Sequence, residues 1–177
     1  PNKLILQQID FVITEKCSLK CRDCSNLMQY YHNPENSDFD TLFNAMKILL
    51  SSIDYALEIR VIGGETFMNP KAFKFINGLR QFTNYNRICV YSNGTIVPKG
   101  KNLECLKYDD TFLRISNYGD ISSKISVMTK LFDKNDISYD ILNFDRWQDC
   151  AKIEKTMESK ELLDEKFSNC CVRNYLT

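Results

Sequence analysis

Five short β-rich runs, each followed by a stretch with helical spacing, constrain this chain more than any other feature. Ile9–Thr14 and the stretches 56–62, 87–92, 111–116 and 137–142 are rich in β-branched, aromatic and aliphatic residues. Between them the apolar period changes. Residues 38–54 place Phe39, Leu42, Phe43, Met46, Leu49, Leu50 and Ile53 at spacings of three and four, with Ser37 or Asp38 as the N-cap. Residues 70–83 open with Pro70 and align Phe73, Ile76 and Leu79. Residues 121–134 align Ile121, Ile125, Met128, Leu131 and Phe132. Leu103–Tyr108 and Glu161–Phe167 read as short helices, and 143–160 has no clean period. Strands alternating with helices predict an α/β fold with a mostly parallel sheet and helical crossovers.

At 177 residues the chain is one domain's worth of sequence and can bury a core without disulfide staples. Lys plus Arg and Asp plus Glu both number 23, so the net charge is zero. That balance lacks the basic excess of a nucleic-acid binder and gives no long-range steering of a charged partner. The longest apolar run, Ile88–Tyr91, is far short of the roughly 20 residues that span a membrane. No signal peptide is visible, and the first residue, Pro1, is not an initiator Met.

Eight cysteines are many for a chain in a reducing compartment, and their spacing matters more than their number. Cys17, Cys21 and Cys24 fall within eight residues, in a loop directly after the first strand, whereas Cys89, Cys105 and Cys150 are scattered and Cys170 and Cys171 are adjacent. A disulfide framework spreads its partners through a fold; three thiols in one loop read as metal ligands. Soft thiolates favour zinc, copper(I) or an iron–sulfur cluster, and three of them leave one iron of a cubane open to a ligand. The other strand ends share the phase of this loop. Gly63-Gly64-Glu65 follows the second strand, Ser92-Asn93-Gly94 the third and Ser116-Asn117-Tyr118-Gly119 the fourth. In a parallel β/α sheet or barrel all these ends lie on one rim, where sites assemble.

The C-x3-C-x2-C spacing after the first strand, with Gly63-Gly64-Glu65 and Ser92-Asn93-Gly94 at the next two strand ends, resembles the radical S-adenosylmethionine (SAM) superfamily over roughly residues 8–145. The resemblance implies a partial (β/α) TIM-type barrel of about five to six βα units. It also implies a radical SAM core over 1–145, with 146–177 a C-terminal extension that begins an auxiliary-cluster or substrate region. Cys17, Cys21 and Cys24 would hold a [4Fe–4S] cluster. SAM would chelate the open iron and be cleaved reductively to a 5′-deoxyadenosyl radical that takes hydrogen from a substrate. Gly63 and Gly64 would let the backbone approach SAM, Glu65 would accept from its ammonium, and Ser92 and Asn93 would bond its ribose or carboxylate. Ser116 and Asn117 are the candidates at the next strand end. The substrate would be a peptide, sugar or small metabolite, the reductant a flavodoxin or ferredoxin, and the setting cytoplasmic because an open cluster is oxygen-sensitive.

The sequence departs from the family at two points. Many members carry an aromatic residue before the third cysteine, near the adenine, and here Asp23 stands there; the glycine motif of the fifth strand is not evident in Ile137–Asn143. The alternative from another class is a non-catalytic metal-binding module: zinc with His32 completing a Cys3His set, or an electron-transfer iron–sulfur protein. Val90–Val97 also suits a β-hairpin turning at Asn93-Gly94. Tyr30 and Tyr31 are expected to pack beside the cluster, Trp147 to anchor a loop, and Cys89 to be a buried small hydrophobe. Cys170 and Cys171 are either bland thiols or ligands of a second cluster in a longer protein. Five strands, an opening proline and an end six residues past Cys171 suggest a fragment.

Overall fold

The computed structural model describes residues 3–144, 155 and 157–170. Five strands, β1 (Ile5–Val12), β2 (Tyr55–Ile62), β3 (Tyr85–Ser92), β4 (Thr111–Asn117) and β5 (Tyr139–Asn143), form one sheet in the order β1-β2-β3-β4-β5. Every neighbouring pair is parallel. Helices α1 (Phe39–Ser51), α2 (Ala72–Leu79), α3 (Lys101–Glu104) and α4 (Ile125–Lys134) supply the crossovers, and α5 (Lys160–Asn169) follows β5. This is a partial β/α barrel.

Parallel strands need crossovers, and these residues provide them. Asp38 caps α1 by accepting from the Thr41 N–H at 2.9 Å, while the Ser37 hydroxyl donates to the Val12 carbonyl. Phe43, Met46 and Leu50 of α1, Phe75, Ile76 and Leu79 of α2, and Met128 and Phe132 of α4 are buried. They meet the apolar face of the sheet, made by Ile9 and Phe11, Ile59 and Val61, Ile88 and Val90, and Leu113 and Ile115. Phe75 sits edge-on to Phe11 and Phe39, with ring centres 5.7 and 5.1 Å apart.

The opposite face is charged. Asp10 on β1 and Arg60 on β2 form a bidentate pair at 2.5 and 2.6 Å. Glu58 accepts from Arg87 of β3 at 2.8 Å, and Arg114 of β4 donates to the Tyr91 hydroxyl of β3 at 3.0 Å. Cys89 lies among them, buried, its thiol pushed up to about 12 first by burial and then by the Glu58 charge. It is inert, as is Cys105, also pushed up to about 12 by burial.

Several boundaries differ from the sequence reading. β1 starts at Ile5 and stops at Val12. Its early half was hidden because Gln7 and Gln8 break the apolar signal, and Thr14 makes only an isolated antiparallel bridge to Asn36. The hairpin at Val90–Val97 does not form: β3 is flanked by β2 and β4, both parallel to it, and Ser92 is its last residue. α4 begins at Ile125, preceded by a 3-10 turn over Gly119–Ile121. No residue of α5 is buried. Trp147, Cys150, Cys171 and the expected boundary at 145/146 lie outside the described residues. No helix among the described residues is long and apolar enough to cross a membrane.

Phe75, 1% exposed and wedged between two rings, is the test of this core. Phe75→Ala is expected to cost about 3–5 kcal/mol, read as a lower urea midpoint at constant slope.

Candidate functional site

The cysteine loop is held against the sheet by backbone. Beyond β1, the Ile13 N–H donates to the Ile62 carbonyl at 2.9 Å. The Gly64 N–H then donates to the Thr14 carbonyl at 3.1 Å, and the Glu65 N–H to the Lys16 carbonyl at 2.8 Å. The approach is so close that a Cβ on Gly63 would lie 2.5 Å from the Thr14 oxygen, and one on Gly64 2.4 Å from the Lys16 oxygen and 2.6 Å from the Cys17 Cβ. The glycines therefore serve a close contact with this chain's own cysteine loop. Backbone cannot yield there as a flexible side chain would.

Glu65 does not stand on an exposed lip. Its residue is 0% exposed, and its carboxylate accepts from the Asn93 N–H at 2.7 Å, the Phe67 N–H at 3.1 Å and the Ser92 hydroxyl at 3.0 and 3.1 Å. Burial pushes its carboxyl up to about 7, against the downward pull of these three donors. Both oxygens are engaged by the protein, so the side chain acts from beneath the rim.

Ser92 and Asn93 follow from that tie. The Asn93 side-chain carbonyl accepts from the Thr95 N–H and hydroxyl, and its amide nitrogen reaches the cysteine loop. The next strand end is linked through Ser122, whose buried hydroxyl bonds the Asn93 carbonyl at 2.8 Å and the Ser116 carbonyl at 3.1 Å. Asn117 donates to the Asn143 side chain at 2.7 Å and accepts from the Gly119 N–H at 3.0 Å. The structure thus brings Gly64 and Asn93 against Cys17, with Gly63 beside Thr14, Ser92 joined to Glu65, and Ser116 linked to the Asn93 carbonyl through Ser122.

The thiols sense one another. The Cys17 thiol is raised by burial and then by the charges of Glu65, Cys21 and Cys24; that of Cys21 is raised by burial and by Cys24. Among the described residues no three His, Cys, Asp or Glu side chains converge to hold a single metal ion. A tetrahedral zinc needs donors at about 2.0–2.3 Å from one point. His32 is exposed and belongs to no such group among the described residues. Tyr30 and Tyr31 are 51% and 45% exposed, not packed in as expected.

Between the cysteine loop and the ends of β4 and β5 lies a cavity of about 550 Å³. Cys21, Asp23, Asn117, Tyr118, Ile121 and Phe144 are among the residues lining it. Tyr118 and Phe144 stack with centres 5.7 Å apart and planes 23° apart. The Tyr118 hydroxyl is raised chiefly by burial, and it feels the charges of all three loop cysteines. Asp23 is buried here and paired with Arg22 at 2.8 Å. The sequence reading missed Tyr118, Ser122 and Phe144; the available signal was an aromatic residue directly after each of the last two strands.

No family model and no curated protein matches the sequence. Solved structures do match in fold. BtrN, in complex with AdoMet and 2-DOIA, aligns with a TM-score of 0.60 at 18% identity, covering 80% of this chain and 58% of its own. Native anSMEcpe with bound AdoMet gives 0.58 at 18% identity, covering 77% and 43%. SuiB of Streptococcus suis, bound to S-adenosylmethionine, gives 0.54 at 12% identity, covering 93% and 47%. These are radical SAM enzymes, and the chain has their fold. It spans 58% or less of the length of each.

The buried Glu65 carboxyl makes stability depend on pH in a known direction. Its folded value, about 7, lies above the ordinary 4.5, so the folded state binds the proton more tightly. Its contribution is complete below about pH 4.5 and is lost as pH rises through about 7, roughly 3 kcal/mol in all. Urea unfolding of the metal-free protein and of Glu65→Gln across this range is expected to show the wild type losing ground steadily as pH rises; parallel curves would refute the assignment.

Proposed function

We propose that this chain is the catalytic core of a radical SAM enzyme, with Cys17, Cys21 and Cys24 as the ligands of a [4Fe–4S] cluster. The observation that carries this reading is the Cys17–Cys24 loop seated on Gly63-Gly64-Glu65 in a fold shared with enzymes solved with AdoMet. The chemistry of the donors supports it: Cys17, Cys21 and Cys24 are free thiols in one loop, three soft ligands for a cluster that would keep one iron open, and a cavity adjoins Cys21. Held by Cys17, Cys21 and Cys24, the cluster would supply the electron for reductive cleavage of SAM and, through it, hydrogen abstraction from a substrate.

The chain's own residues bind and orient. The rim made by Gly63–Glu65, Ser92–Asn93 and Ser116–Asn117 faces the methionyl end and the ribose, with Glu65 holding it from below. Tyr118 and Phe144 offer the stacked apolar wall for the adenine that the position of Asp23 does not supply. The charged sheet face, with Arg60, Tyr91 and Arg114, lies on the side away from the helices, where a substrate approaches. Substrate identity, the reductant, a second cluster and the division into core and extension belong to this proposal and to the longer architecture its neighbours have.

Anaerobic reconstitution with iron and sulfide is expected to give a brown protein with about four irons. Cys17→Ala, Cys21→Ala and Cys24→Ala should each lose most of that iron, and Cys89→Ala and Cys105→Ala should keep it. With SAM and dithionite, 5′-deoxyadenosine should form. Stoichiometric zinc that persists through reconstitution would favour the non-catalytic module. Tyr118→Ala should weaken SAM by about 0.5–1.5 kcal/mol, read by calorimetry on the reconstituted protein, with its iron content unchanged.

A further inference from the structure

Asn93 is fixed at every polar atom that decides where its amide points. Its backbone N–H is tied to the buried Glu65 carboxylate at 2.7 Å. Its side-chain oxygen accepts from the Thr95 N–H at 3.1 Å and the Thr95 hydroxyl at 2.6 Å. The Thr95 hydroxyl lies 2.5 Å from that of Ser18, which closes a ring back to the cysteine loop. With the oxygen so occupied, the amide orientation is set by its network. The nitrogen is left facing the loop, donating to the Ser18 hydroxyl at 3.1 Å and to Cys17 Sγ at 3.6 Å. Cys17 Sγ also accepts from the Leu19 N–H at 3.4 Å, but that donor is built into the loop itself. Asn93 reaches the sulfur from a different strand end, 76 residues along the chain.

A hydrogen bond to a ligating sulfur stabilises the state with more negative charge, so it favours reduction of a cluster. We infer that Asn93 is a positioning residue that donates to the Cys17 thiolate and raises the readiness of the cluster to accept its electron. This rests on the proposed cluster at Cys17, Cys21 and Cys24. The Glu65 tie gives the bond its geometry: it fixes the backbone from which the amide extends.

The test uses the full chain, reconstituted anaerobically without SAM, as wild type, Asn93→Leu, Asn93→Ala and Ser18→Ala. Iron is counted first, then the reduced cluster is followed by EPR during a potentiometric titration. Both Asn93 variants should show a roughly tenfold lower ratio of reduced to oxidised cluster at a fixed potential, equivalent to about 59 mV for one electron. Ser18→Ala, which keeps the donor to sulfur, should stay near the wild type. Unchanged midpoints in the Asn93 variants, or an equal shift in Ser18→Ala, overturn the inference. If neither Asn93 variant holds iron, wild-type protein labelled with 15N-asparagine decides: a 15N hyperfine coupling to the reduced cluster supports the bond, and its absence overturns it. A wild type that loads no four-iron cluster is a failure of the proposed function, and this inference falls with it.

Discussion

A carboxylate with no exposed surface ties the ends of two neighbouring strands, and the rim of the sheet is organised around it. Burying a charge is costly unless donors replace the lost water. Glu65 receives three donors, from Ser92, Asn93 and Phe67, and each fixes a different piece of chain. Phe67 lies in the turn that leads into α2. Ser92 ends β3 and Asn93 follows it. Glu65's own N–H holds the Lys16 carbonyl, one residue before the first loop cysteine. One side chain thereby sets the distances among the cysteine loop, the second strand end and the third.

The two faces of the sheet divide the work of specifying it. The helix-side face is apolar and supplies most of the burial. The charged face supplies register: Asp10 stands opposite Arg60, Glu58 opposite Arg87, Tyr91 opposite Arg114, and Arg114 opposite Asp140. Half-buried pairs of this kind add little net stability. A slip of one residue, however, would carry these charges into the helical core, so the pairs select one alignment. The interior of a closed barrel is usually filled by branched apolar side chains. The charged lining here, with a buried thiol in its midst, distinguishes this sheet from one built only to be packed.

Periodicity was enough to locate the five strands, the crossover helices and the shared phase of the strand ends, because those signals are local. The cysteine spacing was legible for the same reason. What the sequence hid depends on residues far apart in the chain. That Gly63 and Gly64 make room for Thr14 and Lys16 is a contact across some fifty residues. The burial of Glu65 follows from a strand end nearly thirty residues away. The Tyr118–Phe144 stack joins two loops, one in a stretch without period. Val90–Val97 shows the limit of local reading: its turn residues suit a hairpin, yet β4 takes the place beside β3 that the returning strand would need.

Because each strand lies beside the one made just before it, the sheet can grow in the order of synthesis. The cysteine loop is complete once the chain reaches Cys24, but the glycines it rests on come about forty residues later and Asn93 about seventy. At about 5–20 residues per second, roughly 3–14 seconds pass between the third thiol and the last of its supports. During that interval the loop has thiols but no seat, and the thiols are open to oxidation. The seat of the cysteine loop is a late product of translation, so the moment at which the three thiols take up their final geometry is set by the far end of β3 rather than by the cysteines themselves.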